Sequence, residues 1–173
     1  PTTIRQADGI ILPGVGAFGS AMDELKKRRL DQVLYEEAKA GKPLLGICLG
    51  MQLLFDESDE FGVHEGLHLI PGRVEAFPKD IDLLVPQMGW NQNVVNNEQS
   101  IFADVLDGSY TYFVHSYYAK CDQQYVVSYT NYGVKGPSCV EFKNVYGMQF
   151  HPEKSGEKGL EMLERFIERV DER

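Results

Sequence analysis

The segment Gly46-Ile47-Cys48-Leu49-Gly50-Met51-Gln52 constrains this fold most tightly, because it sets one cysteine between two glycines where an apolar strand should turn into a helix. Pro43 to Ile47 is a short apolar run suited to a buried strand, and Leu49 to Phe55 has the apolar spacing of a buried helix start. So sharp a turn needs neighbours without a Cβ. Gly46 and Gly50 would let Cys48 take a strained backbone and stand at the top of a sheet, the geometry of a nucleophile elbow. At a helix N-terminus the thiol would also meet the positive end of the dipole, which favours thiolate. A cysteine taken alone is more often structural; the double-glycine frame points to a nucleophile.

A cysteine nucleophile needs a base, and the base needs an orienting group. Near the other end of the chain lies Gly147-Met148-Gln149-Phe150-His151-Pro152-Glu153. Val145 to Phe150 reads as a strand, so His151 and Glu153 fall at its C-terminal end, two residues apart. In extended chain that spacing points both side chains to one side. Pro152 biases His151 toward extended backbone. Catalytic groups of open α/β sheets gather at the carboxyl ends of strands, where the elbow also lies.

Along the chain, strand and helix patterns alternate at first and strands dominate later. Asp8 to Leu12 reads as a strand. Gly19 to Ala40 carries one helical stripe (Met22, Leu25, Leu30, Val33, Leu34, Ala38), stopped by Gly41-Lys42-Pro43. Leu67–Ile70, Arg73–Phe77, Leu83–Val85, Tyr112–Tyr118, Tyr125–Tyr129, Ser138–Phe142 and Val145–Phe150 are strand candidates between turn residues, and Gly156–Val170 closes the chain as an amphipathic helix. The pattern predicts a single three-layer α/β domain with a mixed, mainly parallel central sheet.

A length of 173 residues and 43% hydrophobic content suit one domain with a real core. The net charge of -9 argues against a nucleic-acid partner, which would require Lys and Arg to neutralise phosphates. Cys48, Cys121 and Cys139 are an odd number without paired spacing, which predicts free thiols and a cytoplasmic protein. No apolar run approaches a membrane span and no charged-then-apolar leader is evident, so neither membrane association nor export is expected. His64-Glu65-Gly66-Leu67-His68 matches the H-E-x-x-H zinc pattern, which requires a helix; Gly62, Gly66 and Pro71-Gly72 oppose one, and a loop entering the Leu67–Ile70 strand is the better reading. The loop Pro13-Gly14-Val15-Gly16 permits a tight turn, and it lacks the spacing and lysine of a phosphate-binding loop. Trp90, the sole tryptophan, would on general grounds be at least partly buried.

The pairing of G-I-C-L-G-M-Q with Q-F-H-P-E resembles the class I, triad-type glutamine amidotransferases, which hydrolyse glutamine to glutamate and ammonia through a cysteinyl thioester. Leu12 to Gly19, Met88 to Asn91, Tyr112 to Tyr118 and Phe150 to Ser155 narrow the resemblance to the glutaminase subunits of imidazole glycerol phosphate synthases, over essentially the whole chain. The resemblance implies a flavodoxin-like fold and a Cys48-His151-Glu153 triad. It implies an oxyanion loop at Gly14, Val15 and Gly16 acting with the Leu49 N–H, and substrate contacts by Gln52 and by the backbone of His115, Ser116 and Tyr117. It implies that Met88, Trp90 and Asn91 dock a (β/α)8-barrel cyclase subunit in a heterodimer, with the glycine loop as a switch that idles the glutaminase until that partner is loaded. Neither a metal nor an organic cofactor is implied. The glutaminase of pyridoxal phosphate synthesis is a sibling alternative, against which the Met-Gly-Trp-Asn and His-Ser-Tyr segments weigh; a zinc protease and a catalytically silent binding module are alternatives of other classes. Domains of this family open with a β-α-β portion ahead of the part matching Gln6 to Gly9. Residues 1–173 therefore read as one glutamine amidotransferase type 1 domain that is short at its N-terminus, a form expected to self-associate and to turn over little glutamine.

Overall fold

A computed structural model describes residues 1–172. In chain order the elements are α1 (Thr2–Gln6), β1 (Ile10–Leu12), α2 (Phe18–Lys27), α3 (Leu30–Lys39), β2 (Leu44–Ile47), α4 (Leu49–Leu53), β3 (Glu57–Ser58), β4 (His64–Glu65), β5 (Arg73–Ala76), β6 (Gln87–Gln92), β7 (Val94–Val95), α5 (Ala103–Leu106), β8 (Tyr110–His115), β9 (Tyr117–Lys120), β10 (Val126–Asn131), β11 (Lys135–Phe142), β12 (Val145–Met148) and α6 (Gly156–Asp171). The central sheet has six strands in the order β1-β2-β12-β11-β10-β7.

Alternate residues of the central strands feed two cores. Leu44 and Val145 point to one face and pack with Met22, Leu34, Ala38 and Met51 from α2, α3 and α4. Leu45, Ile47, Tyr146 and Met148 point to the other and pack with Val105, Leu106, Met162 and Phe166 from α5 and α6. This period of two across a strand produces the three expected layers. On α6 the buried residues are Gly159, Met162 and Phe166, whereas Leu160 and Ile167, which the sequence sets on the apolar face with Leu163, Phe166 and Val170, are exposed.

The sheet is mixed, but it is not mainly parallel. Only β1–β2 and β2–β12 pair in parallel, whereas β12–β11, β11–β10 and β10–β7 are antiparallel. Short turns join β10, β11 and β12, and a short turn can connect only antiparallel neighbours. Two further sheets, β4-β3-β5-β9 and β6-β8, were not foreseen.

Four expected elements are corrected. The single helix over Gly19–Ala40 is two, because Arg29 takes a left-handed backbone (φ 58°) between α2 and α3. The five-residue step from Leu25 to Leu30 had already broken the helical stripe. Leu67–Ile70 is not a strand: the N–H groups of Leu67, Leu69 and Ile70 donate to the carbonyls of Leu53 and Leu54, which end α4. Leu83–Val85 is exposed and unpaired in any sheet, lying ahead of Pro86. The expected strand Tyr112–Tyr118 breaks at Ser116, where the chain leaves β6's partner strand β8 and enters β9 beside β5. That change of sheet puts His115, Ser116 and Tyr117 at a kink.

Candidate active site

Cys48 occupies the joint between β2 and α4 with φ 56° and ψ -113°, a conformation that costs an L-residue roughly 1–3 kcal/mol. Gly46 and Gly50 are needed for close approach rather than for their own torsions. A Cβ on Gly46 would lie 2.5 Å from the Gly50 carbonyl oxygen, and one on Gly50 would lie 1.7 Å from that of Leu12. The Cys48 N–H donates to the Met148 carbonyl at 2.7 Å, so β2 and β12 end level and deliver Cys48 beside Gln149.

The thiol is buried. Its S–H points to the Val114 carbonyl at 3.7 Å, and the Gln149 side-chain amide lies 3.9 Å from Sγ. Burial pushes the Cys48 pKa upward, and the Glu153 carboxylate adds to this; the Leu49 N–H, Lys154 and the Gln149 amide act the other way. The helix N-terminus does favour thiolate, through the Leu49 N–H, but desolvation outweighs it in a helix of five residues.

His151 follows β12 in extended backbone (φ -96°, ψ 100°), as a residue preceding proline should. Its ring is buried, and Nδ1–H donates to Glu153 Oε2 at 3.1 Å. The pair meets, but across a 3-10 turn over Pro152–Lys154 rather than along extended chain. With the proton on Nδ1, Nε2 is the bare acceptor, and it is buried without a partner. Ser155 fixes the turn, its hydroxyl donating to the His151 carbonyl at 2.6 Å and accepting the Tyr112 N–H at 3.0 Å. Nothing in the sequence singled out that role.

Above Cys48 lies a cleft of about 230 Å³, below the usual 300–1,000 Å³ of sites for drug-sized ligands and suited to an amino acid. Val15, Gly16, Leu49, Gln52, His115, Ser116 and Tyr117 line it together with Cys48. Gly14 packs behind, where its added Cβ would make ordinary contact with Leu49 at 3.5 Å. Glu60 and Val114 complete the lining and escaped the sequence reading. Glu60 accepts the Phe18 N–H at 2.8 Å and ends the acidic run Asp56 to Glu60, where no local pattern sets it apart.

His115 contributes its ring as well as its backbone. Nδ1–H donates to the Tyr117 carbonyl at 2.7 Å, leaving Nε2 buried and unpaired. Burial, and to a lesser extent the neighbouring His151, pull its pKa down to about 4 against the opposing Tyr117 hydrogen bond. The unfolded chain, with His near 6.5, takes up this proton earlier than the folded one. Stability is therefore expected to fall as pH drops from about 6.5 to about 4 and then level off, by up to roughly 3 kcal/mol from this group. Urea melts across that window measure it; His115→Asn should flatten the slope, and an unchanged slope would remove His115 as its source.

Met88, Trp90 and Asn91 lie on β6, outside the cleft. Trp90 is 53% exposed and Met88 63%, with Trp90 set edge-on to Tyr112 at 5.9 Å, so the tryptophan is not a core residue. The H-E-x-x-H segment lacks the helix its metal chemistry demands. His64 sits in β4 beside the Phe61 carbonyl, and His68 lies in the following loop at φ 55°, with Nδ1 on Asp56. Among the described residues, no helix is long and apolar enough to cross a membrane.

Residues 2–170 match the family model for class-I glutamine amidotransferases. An imidazole glycerol phosphate synthase subunit HisH from Lactiplantibacillus plantarum is 56% identical over 170 residues, covering 98% of this chain and 81% of the relative. The protein of the same name from Listeria monocytogenes is 51% identical over 167 residues, covering 96% and 80%. The solved structure of PurLQS from Thermotoga maritima superposes with a TM-score of 0.68 at 22% identity, covering 94% of this chain and 80% of that one, a likeness of fold.

Proposed function

Because the chain belongs to the class-I glutamine amidotransferase family, we propose that it is the glutaminase subunit of an imidazole glycerol phosphate synthase, with Cys48 as nucleophile, His151 as base and Glu153 as its orienting group. The observation that carries this reading is a strained cysteine directly after β2, together with a buried histidine just beyond the paired strand β12 whose Nδ1–H is held by a carboxylate. In the proposed reaction, Cys48 Sγ–H turns from Val114 and gives its proton to His151 Nε2. The thiolate attacks the side-chain carbonyl carbon of glutamine, and the negative charge moves to the amide oxygen. The Leu49 N–H and one from the Gly14–Gly16 loop then hold that oxygen, each such donor contributing about 2.7–4 kcal/mol. His151 returns its proton to the nitrogen as the C–N bond breaks, releasing ammonia and leaving a thioester. His151 next takes a proton from water, whose oxygen displaces sulfur to give glutamate and the restored thiol.

In the same reading the backbone of His115, Ser116 and Tyr117 and the Gln52 carbonyl oxygen grip the amino-acid end, and the Glu60 carboxylate neutralises the α-ammonium. The glycine loop is the candidate switch: Gly16 sits at φ 103° with open space around it, so its peptide can turn. A diazoketone analogue of glutamine tests the nucleophile. It should inactivate the enzyme with one adduct on the Cys48 peptide, whereas an adduct confined to Cys121 or Cys139 would refute the assignment.

Ammonia would pass to a (β/α)8-barrel cyclase docked at Met88, Trp90 and Asn91; the exposed apolar side chains of Met88 and Trp90 on β6 support this, while Asn91 is half-buried and accepts from the Gln87 amide. Trp90→Ala is expected to weaken assembly by tenfold or more, as expected for an aromatic anchor. It should cost the isolated subunit no more than about 1.5 kcal/mol, the upper value of an aromatic pair. Titration calorimetry against the cyclase and a thermal melt decide between this surface role and a packing role, which would reverse the two effects.

A further inference from the structure

A run of side-chain amides beneath the cleft ends at the nucleophile's sulfur. Gln52 is 5% exposed and Gln149 1%. Gln52 Nε2 lies 3.0 Å from the Tyr117 carbonyl oxygen and 3.0 Å from Gln149 Oε1. A main-chain carbonyl can only accept, so the Tyr117 oxygen fixes the Gln52 amide with its NH₂ group facing inward. The second N–H of that group then faces Gln149, whose oxygen must be turned toward it. Gln149 is left with its own NH₂ group directed at Cys48 Sγ, 3.9 Å away. Every amide orientation in the chain thus follows from one backbone oxygen, which also accepts from His115 Nδ1–H.

The thiol has opposed neighbours. The Val114 carbonyl accepts the S–H and can only favour the protonated form, whereas the Gln149 N–H can donate to sulfur in either form and does so more strongly to the anion. We propose that Gln149 is the side-chain donor that supports the Cys48 thiolate, and that Gln52, acting through Gln149, is a positioning residue that aims it from the Tyr117 carbonyl. Substrate gripped at His115–Tyr117 therefore shares a hydrogen-bonded chain with the nucleophile, and a shift of that backbone oxygen changes the support the sulfur receives.

The proposal rests on Cys48 being the nucleophile, so its test reads the thiol itself rather than glutamine turnover. The rate of iodoacetamide alkylation at the Cys48 peptide is followed against pH in the full chain. Gln149→Leu should raise the midpoint by about one pH unit, slowing alkylation about tenfold below it. Gln149→Glu, nearly isosteric, should raise it further, since a carboxylate replaces the donor. Gln52→Met, which leaves the Gln149 amide unaimed, should shift the midpoint in the same direction by less. In the unmutated protein the Gln149 side-chain amide proton and nitrogen resonances should titrate with the Cys48 midpoint and lose that titration in Cys48→Ala. This last measurement needs no variant of either glutamine to fold. Midpoints unchanged in folded variants, or a Gln149 amide that does not sense the thiol, would overturn the proposal while leaving the nucleophile assignment intact.

Discussion

Cys48→Ala should abolish glutamine hydrolysis, lowering kcat by roughly 10⁴-fold or more, because a nucleophile and its base act as a unit and the loss of one forfeits both. The fold should survive. Alanine removes only Sγ, whose partners are a carbonyl at 3.7 Å and an amide at 3.9 Å. Synthesis from added ammonium salts by the assembled complex should be retained, since in the proposed mechanism the triad would serve only to release ammonia. Glutamate formation coupled to dehydrogenase readout, beside product formation with ammonium, separates these outcomes. Retained hydrolysis by the purified variant would eliminate the triad.

Gly50→Ala should have the largest effect on folding. The added methyl would lie 1.7 Å from the Leu12 carbonyl oxygen, a backbone atom in the strand next to β2, so no side chain can move aside to make room. Overpacking a rigid site typically costs about 1–3 kcal/mol and sometimes more; here at least about 3 kcal/mol, or failure to fold, is expected. Gly14→Ala provides the contrast, because its methyl would make ordinary contact at 3.5 Å and the chain should fold. Thermal melts of both variants measure the difference. A Gly50→Ala protein as stable as the parent would mean that the elbow can relax away from β1.

The elbow and the His-Pro-Glu turn were legible because their chemistry is local. Two glycines flanking a cysteine, and a proline fixing the residue before it, act within a few residues; Cys48 directly follows β2, and His151 lies three residues beyond the last residue of its parallel neighbour β12. Glu60, Ser155 and Gln149 were illegible as partners because each acts across the fold. Glu60 reaches Phe18, Ser155 reaches Tyr112 and Gln149 reaches Gln52, at sequence separations of 42, 43 and 97. Leu67–Ile70 had the apolar content of a strand, but its N–H groups were claimed by the end of α4. The split between α2 and α3 was visible as a five-residue gap in the stripe and was overridden by the strong periodicity on either side. Burial decides the net direction at the thiol: a short helix offers a weak dipole, and desolvation depends on packing that no local pattern reveals.

The most direct test of Cys48 as the attacking group is to trap its acyl intermediate. Enzyme mixed with the cyclase and carbon-labelled glutamine is quenched in acid within a turnover, digested and examined by mass spectrometry. A γ-glutamyl thioester on the Cys48 peptide, released by hydroxylamine and absent from Cys48→Ser, is the predicted result. Glutamate formed at full rate with no label on that peptide, or with label on another residue, would contradict it.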